Sequence, residues 1–147
     1  MSSTLFKLDE YVLIGVMYIP QAFTSYSSQE AFNDIDFDIR NCSRSYEYIS
    51  LAGDFNARTA ELKDFSVFTE NDFPNGDEYL LENYISFITD SNLPLNRKNI
   101  DKGKNNFGKL LINLCKGQNL FIMNGRVGSD IYNIGLLTVN IEFISQG

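Results

Sequence analysis

The stretch Tyr11–Ile19, YVLIGVMYI, constrains this chain more than any other. It is apolar throughout, rich in β-branched and aromatic side chains, and closed by Pro20. Successive side chains of a strand point to opposite faces, so a strand apolar at both parities belongs where both faces of a sheet are covered. The run is far too short to cross a bilayer, which takes about 20 residues. It predicts a central strand of a layered sheet.

The segments that follow supply the layers. Ser27-Ser28-Gln29-Glu30 has the spacing of a capping box, and Phe32, Ile35 and Ile39 follow at intervals of three and four. That predicts a helix from about Ser28 to Arg44 whose apolar stripe covers one face of the sheet. Tyr46–Ala52 (YEYISLA) predicts a second strand, paired with the first across this short crossover. Residues 57–103 hold all of Pro74, Asn75-Gly76 and Pro94, which suggests loops around one short helix near Tyr79–Ile88. Asn106–Lys116 regains a helical period through Phe107, Leu110, Leu111 and Leu114. Asn119–Met123 reads as a third strand, broken by Asn124-Gly125, and Leu136–Ile144 as a fourth. The order of elements is that of an α/β fold with mixed strand pairing.

Composition narrows the function classes. A chain of 147 residues, 44% hydrophobic with 12 Phe and 8 Tyr, can bury one domain's core. A net charge of −7 argues against a general nucleic-acid binder, whose phosphate contacts come from Lys and Arg. The charge is uneven, however: residues 91–147 carry seven cations against three acids, and the rest carry five against sixteen. The Arg97–Lys109 cluster is thus a candidate phosphate-facing surface, with a merely solvated loop as the plainer reading. Cys42 and Cys115 are too few for a disulfide framework or a zinc site and suit buried free thiols in a reducing compartment. Met1–Glu10 has no signal-peptide layout. The expectation is an intracellular protein, nuclear or cytoplasmic, with no disulfide and no membrane partner.

The passage that could carry chemistry is Leu51-Ala52-Gly53-Asp54-Phe55-Asn56-Ala57-Arg58-Thr59. A strand end delivers Asp54 and Asn56, two apart. Phosphodiester hydrolysis needs a carboxylate to orient or deprotonate water and a neutral donor to hold a phosphate oxygen. Asp-x-Asn supplies both within one loop. Gly, Asp and Asn are also the residues of an Asx-turn that merely closes a strand, and four letters alone do not separate the two readings. Arg58, directly after the motif, is placed to bind phosphate oxygens in pairs.

The surrounding passages favour the chemical reading. Gly53-Asp54-Phe55-Asn56 resembles the G-D-F-N that ends the central strand of the endonuclease/exonuclease/phosphatase family. Val12–Pro20 resembles that family's earlier strand ending in aromatic-x-Pro. Asn105–Cys115 is similar to its N-x-x-G-x-x-L-L helix. Asn119–Arg126, followed by Gly135-Leu136-Leu137-Thr138, is similar to the strand, N-G-R turn and G-x-x-T strand of the branch carried by non-LTR retrotransposon reverse transcriptases. The resemblance implies a four-layer α/β sandwich with mixed sheets and magnesium-dependent cleavage of DNA. It implies catalytic roles for Asp54, which would position the attacking water, for Asn56, which would hold a phosphate oxygen or lie beside the metal, and for Tyr18, whose hydroxyl would reach the scissile phosphate. Arg58, Arg126 and Asn124 are the candidate substrate contacts, and Asp54 with Asn56 the candidate magnesium ligands.

Departures from the family's pattern shape the expectation as much. The family carries a metal-binding Glu on strands ahead of the one matched by Tyr11–Ile19, and Asp9 and Glu10 stand in no matching motif. It also ends on an Asp-His strand, whereas this chain has no histidine. Residues 1–147 thus read as a partial domain, an incomplete sandwich. Asn124 would have no histidine to support, and a turn with Gly125 at positive φ is its plainer role. Three functions stay open: a magnesium-dependent endonuclease, a catalytically silent remnant of one, and an interaction module on that remnant.

Overall fold

A computed structural model describes residues 11–25, 29–67, 85–86 and 88–127. Its elements are strand β1 (Val12–Tyr18), helix α1 (Ala31–Cys42), strand β2 (Tyr48–Asp54) and helix α2 (Asn106–Gln118), with a further short helical stretch ending at 90. The result is a mixed α/β arrangement around a two-stranded parallel sheet.

β1 and β2 pair in register from Val12 opposite Tyr48 to Tyr18 opposite Asp54. The expected strand–helix–strand unit is therefore present, because α1 returns the chain to the same end of the sheet. α1 begins at Ala31, later than the capping-box spacing placed it, with Glu30 at the N-cap and no side-chain cap bond. Its stripe of Phe32, Ile35 and Ile39 is buried, and Phe32 meets Phe107 of α2 with ring centroids 5.5 Å apart. Both helices pack into one core with Ile49, Leu51 and Phe55. Each large apolar side chain so buried contributes roughly 1.5–3 kcal/mol.

β1 departs from its expected environment. Its inward face, Leu13 and Met17, packs on the core, but Ile14, Val16 and Tyr18 on the other face are 67%, 83% and 71% exposed. Both helices lie on one side, so among the described residues the sheet is covered on one face only. An apolar outer parity predicts a cover but cannot supply it.

Asn119–Met123 departs in a different way. Leu120, Phe121, Ile122 and Met123 are buried as a strand's would be, yet the segment enters no ladder among the described residues. Asn119 adopts left-handed backbone (φ 54°) at the C-cap of α2, and Leu120 N donates to Cys115 O at 2.8 Å. Ile122 N then donates to a side chain, Oδ2 of Asp64, at 2.7 Å. Backbone donors that a neighbouring strand would satisfy are met by a helix end and a carboxylate. The turn at Asn124-Gly125 forms as expected, with Gly125 at φ 77°. Leu136–Ile144 and most of Tyr79–Ile88 fall outside the described residues. Cys42 and Cys115 are free thiols, and burial raises the pKa of Cys115 well above its ordinary range.

Candidate functional site

The two parallel strands end together, and their ends carry the candidate residues. Tyr18 is the lateral neighbour of Asp54 in the ladder, so the two side chains leave the same face of the sheet. Both are exposed. The strands meet closely here. Gly53 adopts φ 150°, and a Cβ built on it would fall 1.8 Å from Met17 O. Only a residue without a side chain lets the backbone pass β1 at that distance.

Past Asp54 the chain turns sharply. Oδ1 of Asp54 accepts the backbone N–H of Asn56 at 2.9 Å, which is an Asx-turn. Asn56 is left-handed (φ 47°), and its Nδ2 donates to Ile19 O at 2.7 Å. The turn reading and the site reading are thus compatible: one carboxylate oxygen shapes the loop, and the loop holds Asn56 beside the end of β1.

A second support comes from α2. Asn105, its N-cap, accepts Gly108 N at 2.7 Å and Arg58 N at 2.9 Å on Oδ1. Its Nδ2 donates to Asn56 O at 2.8 Å, and its backbone N donates to Arg58 O at 3.1 Å. One amide therefore caps a helix and fastens the 56–58 loop to it. Gly108 permits the approach, since a Cβ there would lie 2.0 Å from Arg58 O. An Asn directly ahead of an apolar helical period was a readable N-cap signal, but sequence gave no sign that the same amide would grip the loop at 56–58.

Beside this loop opens a cleft of about 770 Å³, lined among others by Asp54, Asn56, Arg58, Lys98, Asp101 and Asn124. Open α/β sheets bind ligands outside the carboxyl ends of their strands, which is where this cleft lies. Arg58 does not project into it alone. Its Nε and Nη2 each donate at 2.8 Å to the two oxygens of Asp101, a residue the sequence reading had not singled out. Arg58, with a further backbone hydrogen bond from Gly103, lowers the Asp101 pKa to about 2, while Asp101 raises that of Arg58.

Arg126 lies elsewhere, which corrects its assignment as a substrate contact. It is fully buried, with Nη1 and Nη2 on the two oxygens of Asp64 at 2.6 and 2.8 Å and further bonds to the carbonyls of Pro94, Leu95 and Ile122. Every nitrogen of the fork is committed, so none can meet a ligand. Arg97 is buried beside it, donating from Nη2 to Thr59 Oγ1 and Leu62 O, with Nε 4.0 Å from Asp64. Burial lowers its pKa despite that carboxylate. Of the Arg97–Lys109 cluster, then, Arg97 is an internal strut and Lys102 pairs with Glu61. Lys98 remains exposed at the cleft.

Magnesium is held through one or two carboxylates and keeps several waters. Among the cleft's lining residues the carboxylates are Asp54 and Asp101, the latter engaged by Arg58. No cluster of three or more potential metal ligands occurs among the described residues. Among the described residues Asp54 offers such an ion one carboxylate and Asn56 an uncharged oxygen, the least that magnesium takes from protein, so the remaining charge would have to come from substrate phosphate. No helix among the described residues is long and apolar enough to cross a membrane. Compared with family models, curated proteins and solved structures, the chain produced no match.

Proposed function

We propose that the cleft beside Asp54 and Asn56 binds a phosphodiester of DNA, on the plan of the magnesium-dependent endonucleases that the sequence resembles. The observation that carries this reading is the junction of Tyr18, Asp54 and Asn56 at the carboxyl ends of two paired strands, beside a cleft furnished with Arg58 and Lys98. In it Asp54 orients a water, the Asn56 amide and the Tyr18 hydroxyl approach phosphate oxygens, and the cations offset phosphate charge.

The donor set favours binding over cleavage. Among the described residues Asp54 is the one carboxylate of the cleft not paired with an arginine, which holds a metal ion weakly, and the sequence has no histidine to steady charge on the phosphate. Loss of one such donor typically costs about 10²–10³ in rate, and groups that act as a unit fail together. A catalytically silent remnant that retains the ligand cleft is therefore the second reading.

The test is nicking of supercoiled plasmid by the purified chain with magnesium, against EDTA and Asp54→Ala controls. The expected result is no nicking above the Asp54→Ala level, with a short DNA oligonucleotide still bound in a manner that Asn56→Ala weakens. Nicking abolished by both EDTA and Asp54→Ala would overturn the silent reading. Failure of oligonucleotide binding to depend on Asp54 or Asn56 would overturn the site itself.

A further inference from the structure

We infer that Arg58 is an anion-binding residue of the cleft held in reserve by Asp101, and that an incoming phosphate oxyanion displaces this carboxylate. The inference rests on the phosphodiester reading of the cleft and adds to it how access to the site is regulated.

Asp101 already occupies Arg58 as a phosphate would. Two parallel N–H···O bonds of 2.8 Å run from Nε and Nη2 to two oxygens of one anionic group. Phosphate presents the same pair of oxygens to the same fork. Both partners line the cleft that holds Asp54 and Asn56. The side chains are 59% and 45% exposed, so a dissolved anion can reach the pair. Exposed ion pairs of this kind bias an equilibrium by about fivefold or less, so a dissolved anion can compete with the carboxylate by its concentration.

Neither residue needs the other to keep its place. Asp101 stands in a tight loop, its N–H donating to Asn99 Oδ1 at 3.0 Å and its Oδ1 accepting Gly103 N at 2.8 Å. The Arg58 backbone is fixed on both sides by Asn105. The two loops are also joined independently, by a bridge between Thr59 and Lys104 and by Asn99 Nδ2 donating to Ala60 O at 3.0 Å. The guanidinium lies directly over Gly103, where a Cβ would fall 2.3 Å from Nη2. The contact between the two loops is therefore built around the arginine while the fold is carried by other bonds. Such a contact can open without unfolding anything.

The experiment titrates the full chain with inorganic phosphate, and separately with the dinucleoside phosphodiester TpT, reading the Arg58 Nε–Hε signal by NMR. In the native chain that signal should shift on addition of either probe, reporting exchange of Asp101 for the ligand. Asp101→Asn, which keeps an acceptor for Gly103, should tighten binding by about fivefold. Arg58→Gln should weaken it, and the double variant should bind like Arg58→Gln alone. An Arg58 signal that ignores saturating probe in the native chain overturns the proposal without any variant. So does an equal gain from Asp101→Asn in the Arg58→Gln background, which would reduce the effect to loss of one negative charge. Binding that gains through Arg58 yet ignores Asp54→Ala and Asn56→Ala would sink the phosphodiester reading and leave the exchange at Arg58 intact.

Discussion

Asp64 clasps Arg126 across 62 residues of sequence, both carboxylate oxygens meeting the guanidinium in a space from which water is excluded. The same carboxylate accepts the N–H of Ile122 and stands 4.0 Å from Arg97 Nε. One acid therefore compensates two buried cations and terminates a backbone segment. Removing one partner of a buried pair costs about 3–5 kcal/mol, because the other charge stays behind. Asp64→Asn is expected to lower unfolding free energy by at least that amount, read as the shift in urea midpoint. A loss under about 1 kcal/mol would show that water reaches the cluster.

Gly53 and Gly117 should respond to alanine with opposite signs. At Gly53 the new Cβ meets Met17 O and the backbone is held at φ 150°, so strain and a forced opening of the ladder should together cost about 3 kcal/mol or more. At Gly117, within α2, a Cβ meets nothing within 4 Å, and alanine should stabilise by up to about 1 kcal/mol through helix propensity. Parallel denaturation curves of the two variants decide it.

Asn105→Ala removes a helix cap, worth about 0.5–2 kcal/mol, and also frees the 56–58 loop. Asn105→Asp keeps the acceptor for Gly108 and Arg58 but loses the donor to Asn56 O. It should be the milder change, near about 1 kcal/mol. The two variants should nevertheless share altered amide resonances at Asn56, measurable by NMR, if the cap and the loop are one unit.

Asp101 should stay ionised far into acid. Its folded pKa of about 2 lies below the ordinary 3.8, so the Arg58 contact contributes fully above pH 4 and is lost as pH falls through about 2. An NMR titration of the Asp101 carboxylate carbon should show that midpoint, and Arg58→Gln should move it back toward 3.8. A native midpoint near 4 would mean the pair is not formed in solution.

Tyr18→Phe should leave stability unchanged, since the ring end is exposed, and should weaken TpT binding if the hydroxyl reaches phosphate. Equal affinity for both forms would remove Tyr18 from the site.

What the sequence disclosed follows from the range over which its signals act. Periodicity is local, so β1, β2, α1 and α2 were legible within a few residues. The Asx-turn at Asp54 and Asn56 was also readable, because its bond spans two positions. Arg126 and Arg97 were not, since nothing local distinguishes a guanidinium bound for the interior from one facing solvent. Their partner Asp64 stands in a stretch whose polar composition signalled only loops. Asn119–Met123 misled for a related reason: buried apolar residues mark burial, and a carboxylate can take the hydrogen bond that a neighbouring strand would otherwise accept.

Gly53 separates two kinds of demand that share the letters G-D-F-N. The glycine answers to Met17 O, and Phe55 answers to the core, where it is 2% exposed. Asp54 and Asn56 answer first to the turn they close. A descendant stripped of every chemical duty would still need Gly53 and Phe55 for as long as the two strands stay paired, while another short polar side chain could close the turn in place of Asp54. Two of the four letters are thus a record of architecture, and evidence of cutting has to be sought at Asp54 and Asn56.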